Sequence, residues 1–191
     1  MYSEKMDLIL NDLENKEIEL AGGSVVGIVL STVNSLIKYI SNLTTGKKKY
    51  EDCQEKVTEI LKRADKLKVE TLQIIDEDKE ILEEILKEYK SRKENYEKYQ
   101  QVCKKSVEFC MQVLEKAYDT LKLSEEISKV GNKMLASDFK ICKYYSFASI
   151  EAAIANVDIN LNSIEDEQYK KIVKEKYKKI LDNAKEIAKY K

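Results

Sequence analysis

The sequence predicts an all-α protein, a bundle of long antiparallel helices, and three observations predict it. Proline is absent from the 191 residues and glycine occurs only five times, so the residues that interrupt helices are almost missing. Apolar residues recur at helical spacing over long stretches, as at Val57, Ile60, Leu61, Ala64 and Leu67. Charged residues, 36% of the chain, dominate elsewhere, as expected for helices with one wet face.

Taken in order, Ser3 is placed to cap a short amphipathic helix reaching Glu14. A loop leads to Gly22 and Gly23. The second helix, from about Ser24 to Leu43, is apolar nearly all round and belongs at the centre of the bundle. Gly46 breaks it. A third helix begins near Lys49 and continues past Tyr89. The very polar stretch 87–101 reads as the exposed end of a helical hairpin. The fourth helix spans Val102 to Val130 and stops at Gly131 and Asn132. Ser137 is placed to cap a fifth, Asp138 to Leu161. A last amphipathic helix runs from Ile164 to Tyr190. No linker or internal repeat interrupts the pattern, so residues 1–191 are expected to form a single helical domain.

Composition excludes several function classes. Lys and Arg (34) nearly cancel Asp and Glu (35), and a net charge of -1 gives no broad surface for nucleic acid. The N-terminus carries acids and no long apolar core, so it is not a signal peptide. Val25 to Ile40 contains Ser31, Asn34, Ser35 and Lys38. It falls short of the roughly 20 apolar residues of a membrane span. A cytoplasmic protein with no membrane partner is expected. Histidine is absent, and Cys53, Cys103, Cys110 and Cys142 form no CxxC pair, so no metal site is expected and the cysteines read as reduced, inert thiols.

Gly23, Gly27 and Ser31 stand four apart on one stripe, which allows close approach of two backbones. The neighbour is either another helix of the bundle or a second subunit. Gly22, Gly23 and Ser24 open the same helix, where backbone N–H groups stay available to a ligand and favour anions. Asp78 has Ile74 and Ile75 one turn before it and Ile81 and Leu82 one turn after. It lies in an apolar stripe, so its carboxylate needs a partner or a ligand. Asp76 has Gln73, Lys79 and Glu80 around it, a polar face. Asp138 stands at a helix start, where an acid is stabilising in its own right. Asn156 and Asn160 are one turn apart and can satisfy buried groups or hydrogen-bond a heterocycle edge. Lys47, Lys48 and Lys49 form a charge run that is ordinarily solvated.

"AGGSVVG" followed by "NLTTGKKKY" resembles the cyclodeaminase/cyclohydrolase family, the folate-processing domain found alone as methenyltetrahydrofolate cyclohydrolase or fused behind a formiminotransferase. Three further stretches agree in order: "IIDEDKEI", "GNKMLASDF" and "AIANVDINLNSI". Together they anchor nearly the whole chain. Two glycines remain where the family usually has three flanked by prolines, with Glu19 and Ala21 standing in that neighbourhood.

The resemblance implies an all-helical, dimeric fold and a folate one-carbon reaction without a cofactor: hydrolysis of 5,10-methenyltetrahydrofolate to 10-formyltetrahydrofolate. Formiminotetrahydrofolate cyclodeamination is the close alternative, and a non-catalytic helical homodimer keeping the fold is the distant one. On this basis Asp78 is the candidate base or nucleophile and Asp138 a second acid, while the Asp-x-Asp match brings Asp76 into the catalytic set. Gly22, Gly23, Ser24, Asn42, Asn156 and Asn160 are candidate folate contacts. Lys48 and Lys49 suit the carboxylates of a glutamyl tail.

Overall fold

In the computed structural model the described residues are 2–15 and 20–189, and every regular element among them is helical. Glu19, beside the glycine pair, and Tyr190, the expected end of the last helix, lie outside the described residues. The helices are α1 (Tyr2–Glu14), α2 (Gly22–Asn42), α3 (Gln54–Ser91), α4 (Tyr96–Val130), α5 (Ala136–Leu161) and α6 (Glu167–Ala188). Short 3-10 turns, Lys48–Cys53 and Lys133–Leu135, precede α3 and α5.

α2 lies at the centre, packed against α3, α4 and α5. Its Leu30, Val33, Ile37 and Ile40 are almost wholly inaccessible. By length and hydropathy α2 would pass for a membrane span, but 56% of its apolar window is buried within the bundle. α4 carries the most densely buried face, from Tyr99 to Ile127. α6 closes one side through Val173, Tyr177 and Ala184. Every side chain from residue 3 to 15 is exposed, including Met6, Leu8, Ile9, Leu10 and Leu13 of α1.

Helix starts depart from the expected caps for local reasons. α1 already begins at Tyr2, which puts Ser3 inside its first turn. α3 begins after a 3-10 turn kinked at Tyr50. Ser137 caps nothing, because α5 runs straight on from a 3-10 turn that Asn132 caps by accepting from Met134 N at 3.2 Å. α6 starts at Glu167, with Asp166 accepting from Tyr169 N at 2.9 Å; Ile164 is core, not helix.

The small-residue stripe of α2 faces α3 of the same chain. A Cβ on Gly27 would stand 2.9 Å from the Thr71 carbonyl oxygen and 3.2 Å from Ile74. Ser31 Oγ donates to Thr71 Oγ1 at 3.0 Å. The stripe is thus accounted for by packing inside the bundle. A second buried polar bridge runs from Asn34 Nδ2 to Thr120 Oγ1, at 3.1 Å, tying α2 to α4.

At the far end of α2, the chain between α2 and α3 is stitched to the one between α4 and α5. Asn132 N donates to Thr44 Oγ1 at 2.9 Å, and Lys133 N donates to Tyr50 Oη at 2.9 Å. Tyr50 Oη donates to Asn132 Oδ1 at 3.3 Å. The "NLTTGKKKY" and "GN" stretches therefore hold each other in place.

Candidate active site

Asp78, on α3, points at the N-terminus of α2. Its Oδ2 accepts from the backbone N–H of Ser24 at 2.8 Å and from the Ser24 hydroxyl at 2.9 Å. A helix start leaves its first N–H groups without intrahelical acceptors, and its partial positive charge favours an anion. Asp78 thus answers the need its apolar stripe creates: it caps another helix across the bundle. Only glycine fits at position 23, because a Cβ there would overlap the Asp78 carboxylate.

The same carboxylate lines a cleft of about 210 Å³. Gly22 and Gly23 form one wall, and Asn156 and Asn160 of α5 another. Asn156 Oδ1 stands 3.3 Å from where a Cβ on Gly22 would lie. Asn160 Nδ2 donates to Cys110 Sγ at 3.2 Å. Ile81, Leu82, Ile85 and Phe109 supply the apolar lining. The arrangement sets one carboxylate, two carboxamides and an open helix N-terminus around a half-apolar slot. It can hold a flat heterocycle and offer a proton acceptor to it.

Comparisons with known proteins give the family. The family profile of formiminotransferase-cyclodeaminase matches residues 5–179. The chain belongs to the formiminotransferase-cyclodeaminase family. It is 22% identical over 174 residues to a methenyltetrahydrofolate cyclohydrolase of Methylorubrum extorquens, covering 87% of this chain and 84% of that protein. A solved structure of formiminotetrahydrofolate cyclodeaminase from Thermotoga maritima superposes with a TM-score of 0.83 at 25% identity, covering 91% of this chain and 88% of that one.

Of the residues matched to the family's motifs, the fold gathers Gly22, Gly23, Ser24, Asp78, Asn156 and Asn160 at one end of the bundle. It does not bring the others there. Asp76 is exposed on the solvent side of α3, as its polar neighbours indicated. Asp138 opens α5, eighteen residues before Asn156 and so about 27 Å away along the helix. Its charge acts on Cys142, whose thiol burial pushes up to about 12. Asn42 is exposed at the last residue of α2, and Lys48 and Lys49 are exposed just beyond it. Lys47 and Lys48 line a separate shallow depression with Gly46, Glu51 and Gln54.

Sequence reasoning missed Ser106, Phe109 and Cys110 of α4, all of which line the cleft. Their spacing puts them on one helical face, but nothing in that face distinguishes a cleft from core. Burial pushes the Cys110 thiol up to about 11, with the Asp78 charge adding to it. It stays protonated near neutral pH, which suits a wall and not a nucleophile.

Proposed function

We propose that this family member hydrolyses 5,10-methenyltetrahydrofolate to 10-formyltetrahydrofolate, working in the cytoplasm as a homodimer. The observation that carries the reading is the Asp78 carboxylate, fixed at the start of α2 and lining the cleft beside Asn156 and Asn160. The methenyl group bridges N5 and N10 as an amidinium cation. A carboxylate at the slot stabilises that cation and can take a proton from an attacking water. Water oxygen bonds to the bridging carbon as its proton passes to Asp78. The adduct's hydroxyl then gives its proton to solvent as the C=O forms, the C–N5 bond breaks, N5 takes the proton held by Asp78, and the formyl group remains on N10. The carboxamides of Asn156 and Asn160 orient the pterin edge, and the Gly22 and Gly23 N–H groups are open to its carbonyl oxygen.

The likeness to the Thermotoga cyclodeaminase supports a second reaction at the same site. There N10 attacks the formimino carbon on N5, the ring closes to the methenyl bridge, and ammonia leaves. Both reactions pass through a tetrahedral carbon between N5 and N10, so one slot serves either. The test is purified protein incubated with methenyl- and formiminotetrahydrofolate side by side. Faster loss of the methenyl chromophore supports the hydrolase. Ammonia release with gain of that chromophore assigns the cyclodeaminase instead. Turnover of neither removes the enzymatic reading.

A further inference from the structure

Two carboxamides of α5 line the cleft, and among the described residues only one of them is anchored. Asn160 Nδ2 donates to Cys110 Sγ at 3.2 Å, across the packed pair of α4 and α5. Asn156 takes part in no hydrogen bond among the described residues, so its carboxamide can turn and offer either group. A carboxamide is planar, with donors on one side and an acceptor on the other, so fixing its NH2 group fixes its oxygen. Asn160 Oδ1 receives no donor, yet among the described residues the one buried side-chain polar atom without a partner is Asn34 Oδ1. Solvent therefore reaches Asn160 Oδ1, on a side chain that lines the cleft.

Cys110 suits the task of an anchor. It is only 7% exposed, and its thiol is uncharged near neutral pH. A helical thiol can give its proton to the carbonyl one turn back, as a serine does, and keep its sulfur lone pairs for a donor. Sulfur is a weak acceptor. In a site shielded from bulk water, a weak bond is enough to decide between the two orientations of an amide.

The facing wall has the opposite polarity. Gly22 and Gly23 open α2, where the first N–H groups find no intrahelical acceptor. The cleft thus carries donors on its α2 wall and a fixed acceptor on its α5 wall. A ring edge with a carbonyl at one position and an N–H or NH2 group further round matches both. A ring with carbonyls at both positions sets oxygen against oxygen at Asn160, which costs more than a bond merely not made.

We infer that Cys110 is a positioning residue: it holds Asn160 with its oxygen turned to the cleft, and so makes the cleft selective for a 2-amino-4-oxo ring over its 2,4-dioxo counterpart. The inference rests on the folate reading for the ring, but the orientation of Asn160 can be measured without any ligand.

Orientation is read by NMR on the free protein. Nuclear Overhauser contacts are expected from the Asn160 side-chain NH2 to the Cys110 β-protons. Their absence in the folded protein would overturn the inference. Selectivity is read by competition of the two free rings, pterin and lumazine, with methenyltetrahydrofolate. Pterin should compete at about 2- to 12-fold lower concentration, the worth of one uncharged hydrogen bond. Equal or better competition by lumazine would overturn it.

The role of Cys110 is read from three variants. Cys110→Ala removes the acceptor and frees the amide. It should erase the preference for pterin and raise KM by about 2- to 12-fold, with kcat nearly unchanged. Cys110→Ser keeps an acceptor in place and should behave as the wild type. In an Asn160→Ala background Cys110→Ala should add nothing, because it acts through Asn160. The same rise in KM in both backgrounds would make Cys110 a plain wall residue and overturn the inference. If the wild type turns over neither folate, the functional reading falls, and the NMR contacts alone decide the orientation.

Discussion

Asp78→Asn removes a charge while keeping the size of the side chain, and the structure allows its two consequences to be weighed separately. Oδ2 of Asp78 accepts from Ser24 N and Ser24 Oγ. An asparagine oxygen in the same place can still accept both donors, but as weaker neutral bonds. Losing the charge assistance of the two bonds costs roughly 1 kcal/mol, and losing the charge at the start of α2 about 0.3–1 kcal/mol. The sum, about 1–2 kcal/mol, lowers Tm by about 2–8 °C for a chain of this size. The variant therefore folds. If the carboxylate accepts the proton of the attacking water, kcat falls at least about a hundredfold, equivalent to about 2.7 kcal/mol of barrier. Asp76→Asn is the control: its side chain is solvent-exposed, and stability should move by less than about 0.5 kcal/mol with turnover nearly unchanged. Thermal denaturation and single-turnover kinetics of both variants measure the two effects. Near-normal kcat in folded Asp78→Asn would leave Asp78 as a helix cap alone and would falsify the mechanism.

Lys48→Ala/Lys49→Ala should raise KM for a polyglutamylated folate more than for the monoglutamate, with kcat nearly unchanged; an equal effect on both counts against tail binding. Gly27→Leu must displace Thr71 and Ile74, at a cost of about 1–3 kcal/mol and a Tm lower by about 2–12 °C, read by denaturation. Burial pushes the Glu126 carboxyl up, but the Arg63 guanidinium and the Lys56 ammonium outweigh this and hold it below the ordinary glutamate value. Its stabilisation is complete above that value and fades as pH falls through the lowered one, so the Tm gap between wild type and Glu126→Gln should be full at neutral pH and close in acid.

The sequence by itself determined the helices. Without proline, and with apolar residues at helical spacing, α2 through α6 have few alternatives, and Gly46 and Gly131 end α2 and α4 where expected. It also separated Asp78 from Asp76, because helical spacing alone assigns a side chain to an apolar or a polar face. The caps of α1, α3, α5 and α6 were less legible, since competing turn geometry decides them residue by residue. What only the tertiary structure decided is which residues meet. Asp78 is fifty-four residues from Ser24, and no periodicity says that it caps α2. Nor does spacing say that the glycine stripe packs on α3, that Asn132 holds Thr44, or that α4 lends Cys110 to the cleft. Motifs matched in order along a chain carry no distances. Helices of 21 to 38 residues are rigid spacers, and the side of the bundle on which each begins set Asp138 and the lysines at the opposite end from Asp78.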